Sequence, residues 1–161
     1  MIGERKQNPA APGFELAELI SQEEECRFDH FTQGDALRLG EIMVSISREV
    51  SMPFGVEIFL NGMVVFKYMP EGTGRLNDAW MEKKIETVLT TGWSTMRVWA
   101  THEAIGVHRE GSMLPNDKYV MCGGGFPIFV NGVGVVGAIA CSGPGDQAEH
   151  EFLVESLRRF R

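Results

Sequence analysis

Apolar residues at Ala36, Leu39, Met43, Ile46 and Val50 recur at spacings of three and four, which predicts one buried helical face. Thr32 can cap that helix, with Asp35 three residues on as an imperfect capping box. Ser51-Met52-Pro53 ends it, because a proline pushes its predecessor out of the α region. A shorter helix is expected over residues 14–25, where Leu16, Leu19 and Ile20 form the stripe. Another is expected over residues 77–91, with Met81, Ile85, Val88 and Leu89 inward. The last helix is expected to start on Asp146, with Glu149 completing a D-x-x-E box and Leu153, Ser156, Leu157 and Phe160 buried. Arg158, Arg159 and Arg161 at its end suit the helix dipole.

The alternating and continuous apolar runs predict strands. Two of them fold about Asn61-Gly62, a pair that accepts the positive φ angles of a type I′ turn, so Leu60 should face Met63 and Ile58 face Val65. Asn131-Gly132 predicts a second hairpin, pairing Val130 with Val133 and Ile128 with Val135. Its second arm, residues 133–141, has no polar side chain on either face and should be a central strand covered on both sides. Pro127 cannot donate to a ladder, so its strand belongs at an edge or a bulge. Tyr119-Val120-Met121-Cys122 reads as a fifth strand, and residues 101–117 as a long polar loop. The fold class expected is α/β of the α+β type, a five-stranded, mainly antiparallel sheet flanked by helices.

Composition narrows the function classes. The chain has 161 residues, 43% of them hydrophobic, which fits a single domain over residues 14–161 behind a polar, Pro-rich and disordered lead-in at residues 1–13. A net charge of −7, without a Lys/Arg cluster, opposes nucleic-acid binding. No apolar run reaches the ~20 residues of a membrane span, and the first thirteen residues lack a signal-peptide core, so no membrane insertion is expected. Three scattered cysteines, Cys26, Cys122 and Cys141, suit reduced thiols in a cytoplasm.

Several motifs carry candidate chemistry. Residues 132–137 spell G-x-G-x-x-G but start a strand behind a hairpin turn, whereas a dinucleotide fingerprint needs a strand that has ended and a helix that begins. Ser142-Gly143-Pro144-Gly145-Asp146 reads as a tight strand-to-helix turn in preference to an anion site, since Asp146 can satisfy the amides itself. No G-x-S-x-G elbow surrounds Ser142. His102 and His108, with Glu103 and Glu110 nearby, are candidate metal or haem ligands, although their spacing fixes them on no common helical face. Cys122 and Cys141 read as buried, inert thiols. Trp80 and Lys84 lie four apart on one predicted helix, and a partly buried Lys84 could have a lowered pKa, hold a carboxylate or snorkel to water. Nine methionines suit an oligomer interface as readily as a ligand pocket.

The run Gly123-Gly124-Gly125-Phe126-Pro127-Ile128, followed by Asn131-Gly132, Val135-Val136-Gly137-Ala138-Ile139 and Ser142-Gly143, resembles the GGxPI…dGxvvGAigvSG signature of the haem-degrading (GlcG/HbpS-like) domain family. Residues 80–88 are similar to the W-x-x-x-K-x-x-T-V stretch of that family's uncharacterised intracellular branch. The likeness spans roughly residues 30–160. It implies a profilin-like sandwich, a homo-oligomer, and haem as cofactor or ligand, family members having been linked to haem binding or breakdown, to glycolate-utilisation gene clusters and to membrane-protein targeting. On this reading the chain is a cytoplasmic, homo-oligomeric binding protein for a small molecule. The ligand site is expected at Trp80, Lys84, Gly123, Gly124, Gly125, Cys141, Ser142 and Gly143, with His102 and His108 offered to a haem iron. Two alternatives stand beside it: a non-enzymatic scaffold, and an enzyme acting on a small carboxylate held by Lys84, for which no acid–base constellation is evident.

Overall fold

The computed structural model describes residues 13–107, 114–115 and 117–161. The expected lead-in, apart from Gly13, lies outside the described residues, as do His108 and Glu110. The elements run α1 (Leu16–Glu25), α2 (Gln33–Glu49), β1 (Gly55–Leu60), β2 (Met63–Tyr68), α3 (Arg75–Thr91), α4 (Thr95–Ala104), β3 (Gly125–Val130), β4 (Gly134–Ser142) and α5 (Asp146–Phe160). Among the described residues the sheet has four strands in the order β2-β1-β4-β3, every neighbouring pair antiparallel.

β4 is interior, as its unbroken apolar run requires, and the strand of Pro127 is at an edge. The expected fifth strand is absent: residues 119–122 make no ladder, and the Val120 amide donates to Thr87 Oγ1 of α3 at 3.0 Å. That segment lies over a helix, outside the sheet. The expected loop is corrected too, because its first part is the end of α4. Ser94 caps α4 by accepting from the Arg97 amide, and the buried Glu23 of α1 accepts from Ser94 N and Arg97.

The two Asn-Gly turns differ. Asn61 and Gly62 both adopt positive φ (50° and 86°), as a type I′ turn needs, and Leu60 pairs with Met63. A bulge after Ile58 then slips the ladder, so Ile58 meets Phe66 where Val65 was expected. In the second Asn-Gly pair Gly132 has positive φ and Asn131 does not; the loop is three residues long, and Val130 pairs with Gly134, itself at positive φ, and Ile128 with Gly137. Gly137 is where the sheet needs a glycine, since a Cβ there would lie 2.1 Å from the Phe59 carbonyl oxygen of β1.

α2 and α5 cover one face, burying Leu39, Met43, Ile46, Phe152, Leu153 and Leu157 against Val56, Ile58, Ile139 and Cys141. Phe54 stacks on Phe152 at 4.0 Å between ring centroids. Thr32 caps α2 through a complete capping box with Asp35. α3 covers the other face, placing Met81, Ile85 and Val88 on the small residues Ala138 and Ala140. α1 and α4 form a third apolar cluster with Leu19, Met96, Val98 and Trp99. Beside β3, Phe28 forms a parallel bridge to Val130, its amide donating to the Phe129 carbonyl at 2.9 Å and its own carbonyl accepting from Asn131 N at 2.7 Å.

Candidate functional site

The inward stripe of α3 contains one charged residue. Lys84 sits at helical spacing with Met81, Ile85 and Val88, so its stem is drawn onto the sheet and only 2% of it is exposed. Its ammonium donates to the Cys141 carbonyl at 2.8 Å, at the end of β4, and to Glu149 Oε2 at 2.6 Å, in the first turn of α5. The other Glu149 oxygen accepts from the Gly143 amide at 2.7 Å. One carboxylate thus ties α3, the β4–α5 turn and α5 together.

This corrects the expected start of α5. The N-cap is Gly145, without a side-chain cap bond. Asp146 accepts from the Gly123 amide at 3.0 Å, and Glu149 serves Lys84. Charge decides that exchange, because a buried ammonium needs a buried anion more than an exposed helix end needs a cap. Burial, the largest influence on Lys84, favours its neutral form, yet the negative groups around it prevail and its pKa is raised. Glu149 is the carboxylate that Lys84 bonds, and burial holds the neighbouring Cys141 thiol well above its usual range. Lys84 is therefore a fixed cation, unsuited to nucleophilic attack. Burial also raises the Cys26 thiol to about 11.

The glycine run passes behind this pair. A Cβ on Gly124 would fall 2.9 Å from Lys84 Nζ, 2.9 Å from Glu149 Oε2 and 2.7 Å from the Cys141 carbonyl, and its φ is +96°. One on Gly123 would lie 1.8 Å from the Asp146 carbonyl oxygen, and one on Gly125 2.6 Å from Thr95 Cγ2. The missing side chains let the protein approach itself.

In front of the pair opens a cleft of about 570 Å³. Its apolar walls come from Leu76, Trp80, Leu114, Tyr119, Val120 and Met121, and its polar lining from Asn77, Lys83, Lys84, Ser142, Asp146 and Glu149. Leu76 and Trp80 are 72% and 41% exposed, unusual for large apolar side chains on a helix whose other face is buried. Asn77 Nδ2 donates to Ser142 Oγ at 3.1 Å.

Of the sequence-predicted residues, Trp80, Lys84, Ser142 and Gly143 meet on this cleft, whereas Gly123, Gly124, Gly125 and Cys141 stand behind its floor. His102 is on α4, its Nδ1 2.7 Å from the Val98 carbonyl one turn back, and is not among the cleft-lining residues. Among the described residues no group of three or more His, Cys, Asp or Glu side chains is placed to hold a metal ion. Sequence reasoning missed Asn77, Tyr119 and Glu149 as site residues. For Glu149 the signal was available: a buried-face lysine on one helix demands an acidic partner, and Glu149 stands seven residues beyond Ser142.

Comparison with known proteins agrees with this fold. The family description "Haem degrading protein HbpS-like" matches residues 31–158. The UPF0303 protein SCO2848 of Streptomyces coelicolor is 38% identical over 153 residues, covering 94% of this chain and 96% of that protein. The crystal structure of Ybr137w protein superposes with a TM-score of 0.81 at 26% identity, covering 90% of this chain and 86% of that one. That of a PduOC:Heme complex superposes at 0.65 and 18% identity, over 81% of this chain and 94% of that one, a likeness of fold. The chain belongs to the HbpS-like family of haem degrading proteins.

Proposed function

We propose that this protein reversibly binds a small organic ligand in the cleft between α3, the β4–α5 turn and residues 114 and 119–122, and does so as a homo-oligomer in the cytoplasm. The observation that carries the reading is a cleft of about 570 Å³, inside the ~300–1,000 Å³ range of small-molecule sites, floored by a buried ion pair. Lys84 and Glu149 are locked on each other, so they position a ligand and do not exchange protons with it; binding without turnover is the better reading. Three buried thiols support a reducing compartment. Exposed Met63, Val64 and Tyr68 on the edge strand β2 support self-association.

Haem is the first ligand to test, given the family and a structural neighbour solved as a haem complex. The apolar walls suit a porphyrin face, and Tyr119 and Met121 are side chains of haem-ligating type on the described lining. Bound there, haem would bring a redox-active iron, and these residues would orient it and shield it from water. Titration with hemin should shift and saturate the Soret band, and Met121→Ala and Tyr119→Phe should alter it. No Soret shift removes haem, and a shift unchanged in His102→Ala and His108→Ala removes the two histidines as ligands.

A further inference from the structure

The floor of the cleft has a hydrogen-bonding polarity. An ammonium carries three donors, and Lys84 spends two, on the Cys141 carbonyl and Glu149. Ser142 Oγ accepts from Asn77 Nδ2, which leaves its hydroxyl proton to donate, and no acceptor for it occurs among the described residues. Both groups are buried, Lys84 at 2% and Ser142 at 4% exposed, and both line the cleft. Of the acceptors close by, both Glu149 oxygens are engaged, by Lys84 and by the Gly143 amide, and Asp146 Oδ1 by the Gly123 amide, while Asp146 Oδ2 accepts from no donor among the described residues. The floor therefore presents two buried donors side by side, one of them cationic, with the half-buried Asp146 as the one acceptor left open near them. The mouth offers the opposite chemistry in Leu76 and Trp80, one helical turn apart on α3 and exposed.

We infer that the cleft takes a small organic acid with an apolar or aromatic body, its carboxylate held by Lys84 Nζ and Ser142 Oγ and its body lying against Leu76 and Trp80. The inference rests on the cleft being the ligand site. A carboxylate is favoured over a neutral carbonyl because hydrogen bonds between ionised partners are roughly twice as strong as neutral ones, and more so where water is excluded. Asn77 fixes the Ser142 hydroxyl and is a positioning residue.

Three probes of one shape decide it: phenylacetate, phenylacetamide and phenethylammonium, titrated by calorimetry into the full-length protein at neutral pH. Phenylacetate should bind about tenfold or more tightly than the amide, a ratio that corresponds to one charge-assisted hydrogen bond, and the ammonium should not bind. Ser142→Ala should weaken phenylacetate severalfold and the amide by less, the neutral carbonyl making the weaker bond, while Trp80→Ala should weaken both equally. Lys84→Arg, which keeps the charge, should retain the preference for the anion; Ser142→Ala keeps the test informative if that variant fails to fold. Equal binding of acid and amide, or binding of the ammonium, overturns the inference while leaving the cleft as a ligand site. Binding of the acid undiminished by both Ser142→Ala and Trp80→Ala overturns the site itself.

Discussion

At the scale of single residues, the Lys84–Glu149 pair sets a stability term with a defined sign. Lys84→Met leaves an uncompensated carboxylate in a dry interior and should destabilise the fold by about 3–5 kcal/mol, read from urea unfolding. Adding Glu149→Leu should restore part of that loss, because removing both charges also removes both desolvation costs. The pH dependence follows from the raised pKa of Lys84. Its contribution is complete below the unfolded value of 10.5 and is lost as pH rises through the higher folded value. The urea midpoint should therefore show no loss from this group between pH 7 and 10, and a fall above that which Lys84→Met does not share. The chemistry of Lys84 was half legible in the sequence. Its spacing placed it on the flank of an apolar stripe, but whether it snorkels or stays depends on a carboxylate from an element sixty-five residues away. Gly123 and Gly124 were expected in the ligand site, as part of a family-like glycine run. What approaches them, the Asp146 backbone and the ion pair, is a tertiary fact.

At the scale of elements, α2 carries two glycines with opposite expectations. Gly34, in the exposed first turn, has open space around a Cβ, the nearest atom being Thr32 Oγ1 at 3.6 Å; Gly34→Ala should raise stability by about 0.5–1 kcal/mol. Gly40 faces β2, where a Cβ would lie 2.5 Å from the Phe66 ring, so Gly40→Ala should lower stability and displace that ring. Thermal unfolding of the two variants in parallel is the measurement. Periodicity found α2, α3 and α5 because long amphipathic helices announce themselves. It missed α4, ten residues long, whose Val98, Trp99 and Ala100 give a short buried patch in place of a repeating stripe. Residues 119–122 have strand composition, but the Val120 amide is claimed by Thr87 of α3 and the Tyr119 amide by the Pro115 carbonyl, and no sequence pattern reveals that. The Asn-Gly rule succeeded at Asn61, where the turn is local. It failed at Asn131, where Phe28 bonds the same residue's amide and pulls the loop to three residues.

At the scale of the whole molecule, the antiparallel sheet between helical layers was legible from element order, since an unbroken apolar strand must be interior and needs cover on both faces. Self-association is the property to measure here. Light scattering of the purified chain should give a mass above the 17.9 kDa of one subunit, and a monomer at micromolar concentration would remove the oligomer from the proposed function. The two margins of the sheet are unequal in a way that limits how copies can join. Along β3, Phe28 and Pro127 leave little for an incoming ribbon to bond, whereas β2 has no strand beyond it among the described residues and exposes Met63, Val64 and Tyr68. Two molecules meeting margin to margin across a twofold axis would consume each other's single vacancy, so ribbon-by-ribbon growth halts at a pair, and fibrils by that route are closed off.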